Sequence, residues 1–404
     1  MNADRRRVVV VGAGPVGLFV ALGLARAGIP VVLLEQEPAL TIDLRAGSYH
    51  PPTLEILAPY GITDEMHRQG ITVRHWQIRD REHAGWVVTW DLGLLADITP
   101  YPYRFHLEQH KLTPIIHAFL TREPLAEVHF GARFAGLTQD GDGVRVTFER
   151  EGRLETLEAG WVIGCDGGRS EVRHAIGVPY EGFTWPERFL VLSTTDDFST
   201  RGYALNAYVA DPHEFIAMFK MPGDGPEGLW RIVYPTDPDR PESDYNTPER
   251  IEAWLQGFAP QPHPYTLRYN SFYRVHQRVA KDWRAGRVLL AGDAAHSNNP
   301  LGAFGLNSGI HDGANLIEKF VPYWRGEKSD AVLDLYARQR RTACVEHVQA
   351  LSIRNKRTLE EKDPAVRRQR FEELIRISES PAAARPYLLD SSMISGIRRA
   401  AEVT

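Results

Sequence analysis

The sequence predicts an α/β chain with a mostly parallel sheet, an antiparallel crossover within it, a second, mainly antiparallel sheet, and a helical C-terminal region. Three observations predict it. Short apolar runs at residues 8–11, 161–163 and 288–291 read as strands buried on both faces, and each runs into a turn rich in Gly or Asp. Residues 180–280 are rich in aromatic, β-branched and proline residues, which suit antiparallel strands and their turns. Beyond residue 330, apolar positions recur at helical spacing among many arginines.

The first run opens the unit that organises the chain. Val8 to Val11 is followed by Gly12-Ala-Gly14-Pro15-Val16-Gly17, a Gly-x-Gly-x-x-Gly turn that leads into an apolar helix. Pro15 falls near the helix start, where its missing N–H costs little. A second apolar run, residues 29–34, ends in Glu35. Glycine lets the backbone turn tightly and lets a pyrophosphate approach, and the helix N-terminus offers N–H groups to it. Glu35 stands at about the 20-residue spacing from which an acid accepts ribose hydroxyls. The unit points to an adenine dinucleotide without separating NAD from FAD, and a tight turn holding no ligand is its plainer reading.

Composition narrows the class. The 404 residues allow two or three domains, and 43% hydrophobic with 25% charged residues describes a globular protein. A net charge of −5 gives no basic footprint for nucleic acid, and no apolar run approaches a membrane span. The first strand begins so near the start that no cleaved signal is expected. Cys165 and Cys344 are the only cysteines, too few for a redox pair at close spacing or a thiolate metal cluster. A reducing cytoplasm is the expected setting and no metal site is expected.

Further along, Arg45 precedes a helix entry at Pro51-Pro52, where it reads either as a phosphate clamp or as a solvated loop arginine. His50 stands at that entry. Residues 73–78 and 85–90 alternate as strands, 107–120 read as a helix, and 128–130, 143–149 and 153–157 as short crossover strands. After the 161–163 run come Asp166-Gly167 and Ser170, a cap for a short helix. Strands are expected near 188–194, 204–209, 215–220, 230–234 and 265–273, and loops at 222–226 and 235–248. The 288–291 run leads into Gly292-Asp293, and a glycine-rich loop from Pro300 to Gly305 opens a helix continuing through Leu316. Residues 330–357 and 365–376 read as amphipathic helices.

Three strand ends of this kind imply one extended ligand, because ligands of open parallel sheets bind beyond the carboxyl ends of the strands. The first turn can hold a pyrophosphate and Asp293 a sugar hydroxyl. The second glycine loop opens a helix whose positive end suits a developing anion, such as the pyrimidine edge of a reduced flavin. From the residues alone, the ligand is FAD.

The motifs then carry a resemblance. The chain resembles the class A FAD-dependent aromatic hydroxylases of the para-hydroxybenzoate hydroxylase type. Gly12-x-Gly14-x-x-Gly17 with Glu35 is similar to their ADP-binding fingerprint, and Asp166-Gly167 and Gly292-Asp293 to their Asp-Gly and Gly-Asp motifs. Pro300-x-Gly302-x-x-Gly305-Leu306-Asn307 resembles their flavin-ring loop, and Arg45 and Gln109 fall where the family has residues touching FAD. That loop reads Gly-Ala-Phe304-Gly where Gly-Gly-Gln-Gly is common, and Cys165 replaces a usual alanine.

The resemblance implies a Rossmann-like FAD-binding domain in three pieces, 1–72, 107–179 and 281–328. A substrate domain of 73–106 and 180–280 and a helical region of 329–404 complete the chain. It implies a monooxygenase, monomeric or homodimeric, in which NADH or NADPH reduces FAD. Oxygen then gives a flavin C4a-hydroperoxide, which hydroxylates a phenol or hydroxylated N-heteroaromatic. Such a substrate is helped by a base. His50 is the candidate, its unperturbed pKa of ~6.5 suiting proton transfer, and a histidine that only caps the helix or faces solvent is the alternative. Tyr208 is the second catalytic candidate, drawn from the second-domain residues Tyr208, Phe215, Met218, Phe219, Trp230, Arg231 and Tyr234. For any single one of these, sheet core is the simpler reading. The rivals are another flavin oxidase, epoxidase or antibiotic-inactivating monooxygenase, a flavin-binding protein without turnover, and an NAD-linked dehydrogenase.

Overall fold

The structure, a computed structural model, describes residues 6–42, 46–82 and 85–404. Arg45 lies outside the described residues. Val8–Val11 pairs in parallel with Val31–Leu34 on one side and Trp161–Gly164 on the other, and Ala126–His129 and Val288–Leu290 extend the sheet. Arg284–Ala285 closes one edge antiparallel. The β-branched and apolar runs at 8–11, 31–34, 161–164 and 288–290 are buried at every position, as a sheet covered on both faces requires. The register puts Val11 beside Leu34 and Gly164, and Gly164 beside Leu290, so the turns that follow these strands converge on one edge.

Helix Pro15–Arg26 is buried from Pro15 to Ala25 and apolar on all sides, because it lies between the sheet and a second helix, Phe304–Trp324. Small residues let the two helices touch. A Cβ on Gly309 would stand 2.6 Å from the Val16 side chain, and one on Gly23 2.3 Å from Ile317. Position 16 thus meets 309 and position 23 meets 317, so the helices run parallel and their N-termini face the same way.

The crossover is a meander of Ala132–Gln139, Val144–Arg150 and Arg153–Ala159. The crossover strand expected at 128–130 is instead Ala126–His129 of the parallel sheet, and Ala132–Gln139 takes its place in the meander, where Gly136 and the polar 138–139 end blur the alternation in the sequence.

The second sheet has eight strands. In spatial order these are His296–Ser297, Leu267–Ala280, Tyr180–Thr194, Leu229–Thr236, Ile216–Met221, Asn206–Ala210, His75–Asp80 and Gly85–Asp91. All neighbours are antiparallel except Asn206–Ala210 with His75–Asp80. Strand alternation divides its side chains between two cores. Leu190, Leu192, Val209, Trp230 and Tyr234 pack on one face with Ile251 and Leu255. Phe189, Val191, Tyr208, Trp76 and Trp90 pack on the other with Phe371 and Leu388 from the C-terminal helices. Ile251 and Leu255 belong to helix Pro248–Phe258, which the loop expected over 235–248 gives way to, with Thr247 Oγ1 accepting from Arg250 N at 3.3 Å as its cap.

The C-terminal region is Ala331–Ala343, a π-helical stretch Cys344–Gln349, and Ala350–Leu359 in continuous succession, then Pro364–Ser378, Pro381–Ser391 and Ile394–Glu402. Among the described residues no helix is long and apolar enough to cross a membrane. A small antiparallel sheet of Ser48–Tyr49, Arg104–His106 and Ile71–Val73 joins the two large ones. Its register pairs Tyr49 with Phe105, which brings the next residue, His50, opposite Arg104.

Candidate active site

At the first turn the three glycines do different things. Gly12 has φ +102°, and a Cβ there would meet the Cys165 carbonyl oxygen at 2.5 Å. A Cβ on Gly17 would stand 1.9 Å from the Gly12 oxygen. Both are required by the protein itself. Gly14 is not: its φ of −67° suits any residue, and nothing lies within 4 Å of where its Cβ would be. That open ground sits before the N-terminus of Pro15–Arg26, which no side chain caps. An anion such as a pyrophosphate fits there. Glu35 braces the turn, accepting from Ala13 N at 2.6 Å and from Glu37 N at 2.9 Å. Each carboxylate oxygen retains a further lone pair for a ribose hydroxyl.

At the other two strand ends, the two aspartates differ. Asp293 is exposed on the short turn Gly292–Ala294, held by Tyr180 donating its hydroxyl to the Asp293 carbonyl at 2.9 Å. The Asp166 carboxylate turns inward, accepting from Ser170 Oγ at 2.6 Å and Val172 N at 3.0 Å to fasten helix Glu171–Ala175. Burial raises its pKa. Gln109 starts helix Gln109–Leu120 half-buried, its N–H donating to the Ala46 carbonyl at 3.1 Å. Gly292 packs on Val16, which ties the first and third turns together.

The loop from Pro300 is clamped at Gly302, where φ is +111°. The Gly302 N–H donates to the Tyr208 hydroxyl at 3.2 Å, and the Gly302 carbonyl accepts from His50 Nε2 at 2.8 Å. Ala303 follows in the left-handed region, and no side chain caps helix Phe304–Trp324, which begins within Gly302-Ala-Phe304-Gly305. Leu306 packs half-buried on the core. The Asn307 side chain is fully occupied inside the protein. Its Oδ1 accepts from His50 N at 2.8 Å and Thr53 Oγ1 at 2.6 Å, and its Nδ2 donates to the Ser48 and Ala303 carbonyls. Any contact of Asn307 with a cofactor is therefore left to its backbone.

Beneath the same helix lies a buried ionic cluster. Asp312 accepts from Arg340 Nε at 2.8 Å, His296 Nε2 at 3.0 Å and Gly292 N at 3.1 Å. Burial opposes the charge on His296, but Cys344 and Asp312 raise its pKa well above the ordinary value. The cluster anchors the Gly-Asp turn to helix Phe304–Trp324.

His50 differs from its expected form. It occupies the N-cap position of Pro51–Leu57 but makes no side-chain cap, and it is wholly buried. Burial first, then the neighbouring Arg104 charge, lowers its pKa to about 3. An imidazole near its free value, poised to take a phenolic proton, is not what the fold builds. Its ring stacks on Phe304 at 5.7 Å.

Phe304 is one wall of a cavity of about 160 Å³ that reaches Gly302. Trp76, Tyr208 and Tyr387 give further aromatic surface, Arg104 lies among them, and Leu374 and Ile377 cover it from the C-terminal helices. Of the seven second-domain candidates, Tyr208 alone is on this wall. Trp230, Tyr234 and Met218 face the opposite core, as strand alternation dictates. Sequence reasoning missed Arg104, Trp76 and Tyr387. An arginine inside the aromatic Tyr101-Pro-Tyr-Arg104-Phe stretch was a signal for the first, whereas nothing local marks Tyr387.

Comparison with known proteins gives the family. The FAD binding domain family matches residues 5–351. The para-nitrophenol 4-monooxygenase of Pseudomonas sp. strain WBC-3 is 34% identical over 97% of this chain and 96% of its own. The 6-hydroxy-3-succinoylpyridine 3-monooxygenase of Pseudomonas putida strain S16 is 33% identical over 89% and 90%. The crystal structure of p-nitrophenol 4-monooxygenase from Pseudomonas putida DLL-E4 superposes with a TM-score of 0.91 at 33% identity, covering 97% of this chain and 98% of that one. Aklavinone-11 hydroxylase, solved with FAD and aklavinone, gives 0.77 at 28% identity over 89% and 70%.

Proposed function

The chain belongs to the FAD binding domain family and is an FAD-dependent aromatic monooxygenase using NAD(P)H and O2, and from that premise we propose that it hydroxylates a single-ring phenol or hydroxypyridine. The observation that carries this reading is the aromatic cavity at Gly302. Its volume of about 160 Å³ compares with the roughly 150 Å³ in which a benzene ring is held. One ring with small substituents fills it.

Bound FAD, reduced by NADH or NADPH, supplies the electrons and the oxygen activation. The protein's part is placement. Gly14 and the uncapped start of Pro15–Arg26 would take the pyrophosphate, Glu35 and Asp293 would accept sugar hydroxyls, and the Gly302–Gly305 backbone would meet the flavin ring. His50 and Tyr208 hold Gly302 from both sides and so fix the distance between that ring and the cavity. Phe304, Trp76 and Tyr387 give the cavity aromatic surface for the substrate ring, and the helices 364–378 and 381–391 supply Leu374, Ile377 and Tyr387 to its lining. The free, buried cysteines support a reducing, cytoplasmic setting.

The test is a panel of phenols and hydroxypyridines scored by chromatography for hydroxylated product, since consumption of NAD(P)H alone also reports uncoupled turnover. Product from single-ring compounds is expected. Product from polycyclic substrates only would overturn the assignment.

A further inference from the structure

The cavity of the proposed function, on which this inference rests, holds one buried permanent charge. Arg104 is 2% exposed. Its Nη1 donates to Asn206 Oδ1 at 2.5 Å, its guanidinium carbon lies 4.6 Å from the Trp76 ring centre, and the Tyr208 hydroxyl is in hydrogen-bonding reach. Its Nε is buried without a partner. Among the described residues no carboxylate is ion-paired with Arg104. The groups that face it are His50 and His106 from its own small sheet, Tyr208 from the large sheet and Tyr387 from the C-terminal helices. Arg231 stands behind His106, and Arg354 and Asp390 stand around Tyr387. None of the groups that act on Arg104 is an acid; Glu373 lines the same cavity at its exposed side, as do Arg354 and Arg370. A buried cation left this way is costly until an anion completes the pair, and a guanidinium is the group best shaped to take an oxyanion.

We propose that Arg104 determines specificity by receiving the substrate's hydroxyl oxygen in its ionised form, so that the enzyme selects acidic, electron-poor hydroxyarenes and supplies no base. The neighbouring groups leave little else for that task. His50 already donates Nε2–H to Gly302, and its pKa of about 3 keeps it neutral. Burial holds His106 at about 4 and pushes Tyr387 up to about 12. An ionised oxygen also releases electron density into the ring, which is what deprotonation by a base achieves for an electrophilic attack. A substrate that arrives ionised needs only to be recognised.

Binding to the oxidised holoenzyme, read as perturbation of the flavin's visible absorbance, tests this between about pH 6 and 9. The probes are para-nitrophenol, a dichlorophenol, phenol and para-hydroxybenzoate. For the two acidic phenols, affinity should fall about tenfold per pH unit below each compound's own pKa, the midpoint moving from one compound to the other. Phenol, whose pKa is close to tyrosine's at about 10, should bind weakly throughout. Arg104→Gln should weaken the ionised phenols on the order of 10- to 100-fold, and Arg104→Lys should keep the midpoints. One midpoint common to all phenols would overturn the proposal, because an enzyme group would then be titrating. Tight, pH-independent binding of para-hydroxybenzoate would also overturn it, because Arg104 would then be reading a ring substituent. The wild-type series stands even if a variant fails to fold. Product is scored separately: ionised phenols that bind but never yield hydroxylated product would refute the proposed function while leaving this selectivity in place.

Discussion

Replacing Gly14 by valine should remove FAD without unfolding the protein, whereas replacing Gly17 by alanine should destabilise the fold itself. At Gly14 the backbone is extended, with φ −67° and ψ 174°, and nothing lies within 4 Å of a Cβ. The empty protein should therefore accept valine for about 1 kcal/mol or less, the scale of a changed N-cap. A valine side chain would occupy the ground the pyrophosphate needs. Losing even one hydrogen bond to a charged oxygen costs roughly 1.5–3 kcal/mol, or about 10- to 150-fold in affinity. At Gly17 a Cβ would stand 1.9 Å from a backbone oxygen, which cannot turn aside as a side chain would. Overpacking of that kind costs about 1–3 kcal/mol or more. The assay pairs flavin content and FAD titration with denaturant unfolding of the flavin-stripped proteins. A Gly14→Val protein that binds FAD normally, or unfolds as readily as Gly17→Ala, would refute the division of labour among these glycines.

Three further outcomes follow from the geometry. Asp293→Ala should fold normally, because the carboxylate is exposed and the turn is held through the Asp293 carbonyl, yet bind FAD about 10-fold more weakly or worse; unchanged FAD affinity would remove the carboxylate from the site. His50→Ala should retain FAD but lose product yield by the same factor across about pH 6–9, because its pKa near 3 leaves it neutral there; a loss that shrinks toward high pH would restore the base reading. Stability should fall in acid. His50, His106 and His311 have folded pKa values below the unfolded ~6.5. Each therefore binds its proton more readily when unfolded and costs up to about 1.4 kcal/mol per pH unit as pH drops from ~6.5 toward its folded value. His296, raised well above 6.5, acts in the opposite sense: its contribution is fully present below ~6.5 and is lost as pH rises through its folded value. Denaturant midpoints between about pH 7 and 5 should fall in the wild type and less steeply in His106→Asn; an equal slope would show that His106 is not buried neutral.

The sequence by itself determined the nucleotide half. A β-branched run buried on both faces, a glycine turn and a following acid are local patterns, so the strand, the turn through Gly12, Gly14 and Gly17 and the acid that braces it, Glu35, were legible in place. The Gly292-Asp293 turn and the loop from Pro300 were legible for the same reason. Tertiary structure decided the rest. Asp166 and Asn307 sit in motifs that look like ligand contacts, and only the fold shows their side chains engaged by Ser170, Val172, Thr53 and the backbone of His50. His50 carries an ordinary histidine's chemistry in the sequence. Its burial and its place opposite Arg104 come from the pairing of 48–49 with 105–106 across a long separation, and they change its pKa and with it its role. The cavity is assembled from residues 76, 104, 208, 302, 304 and 387. No periodicity within one segment records such a meeting, because the electrostatic field and the free volume at a site are sums over elements that only folding brings together.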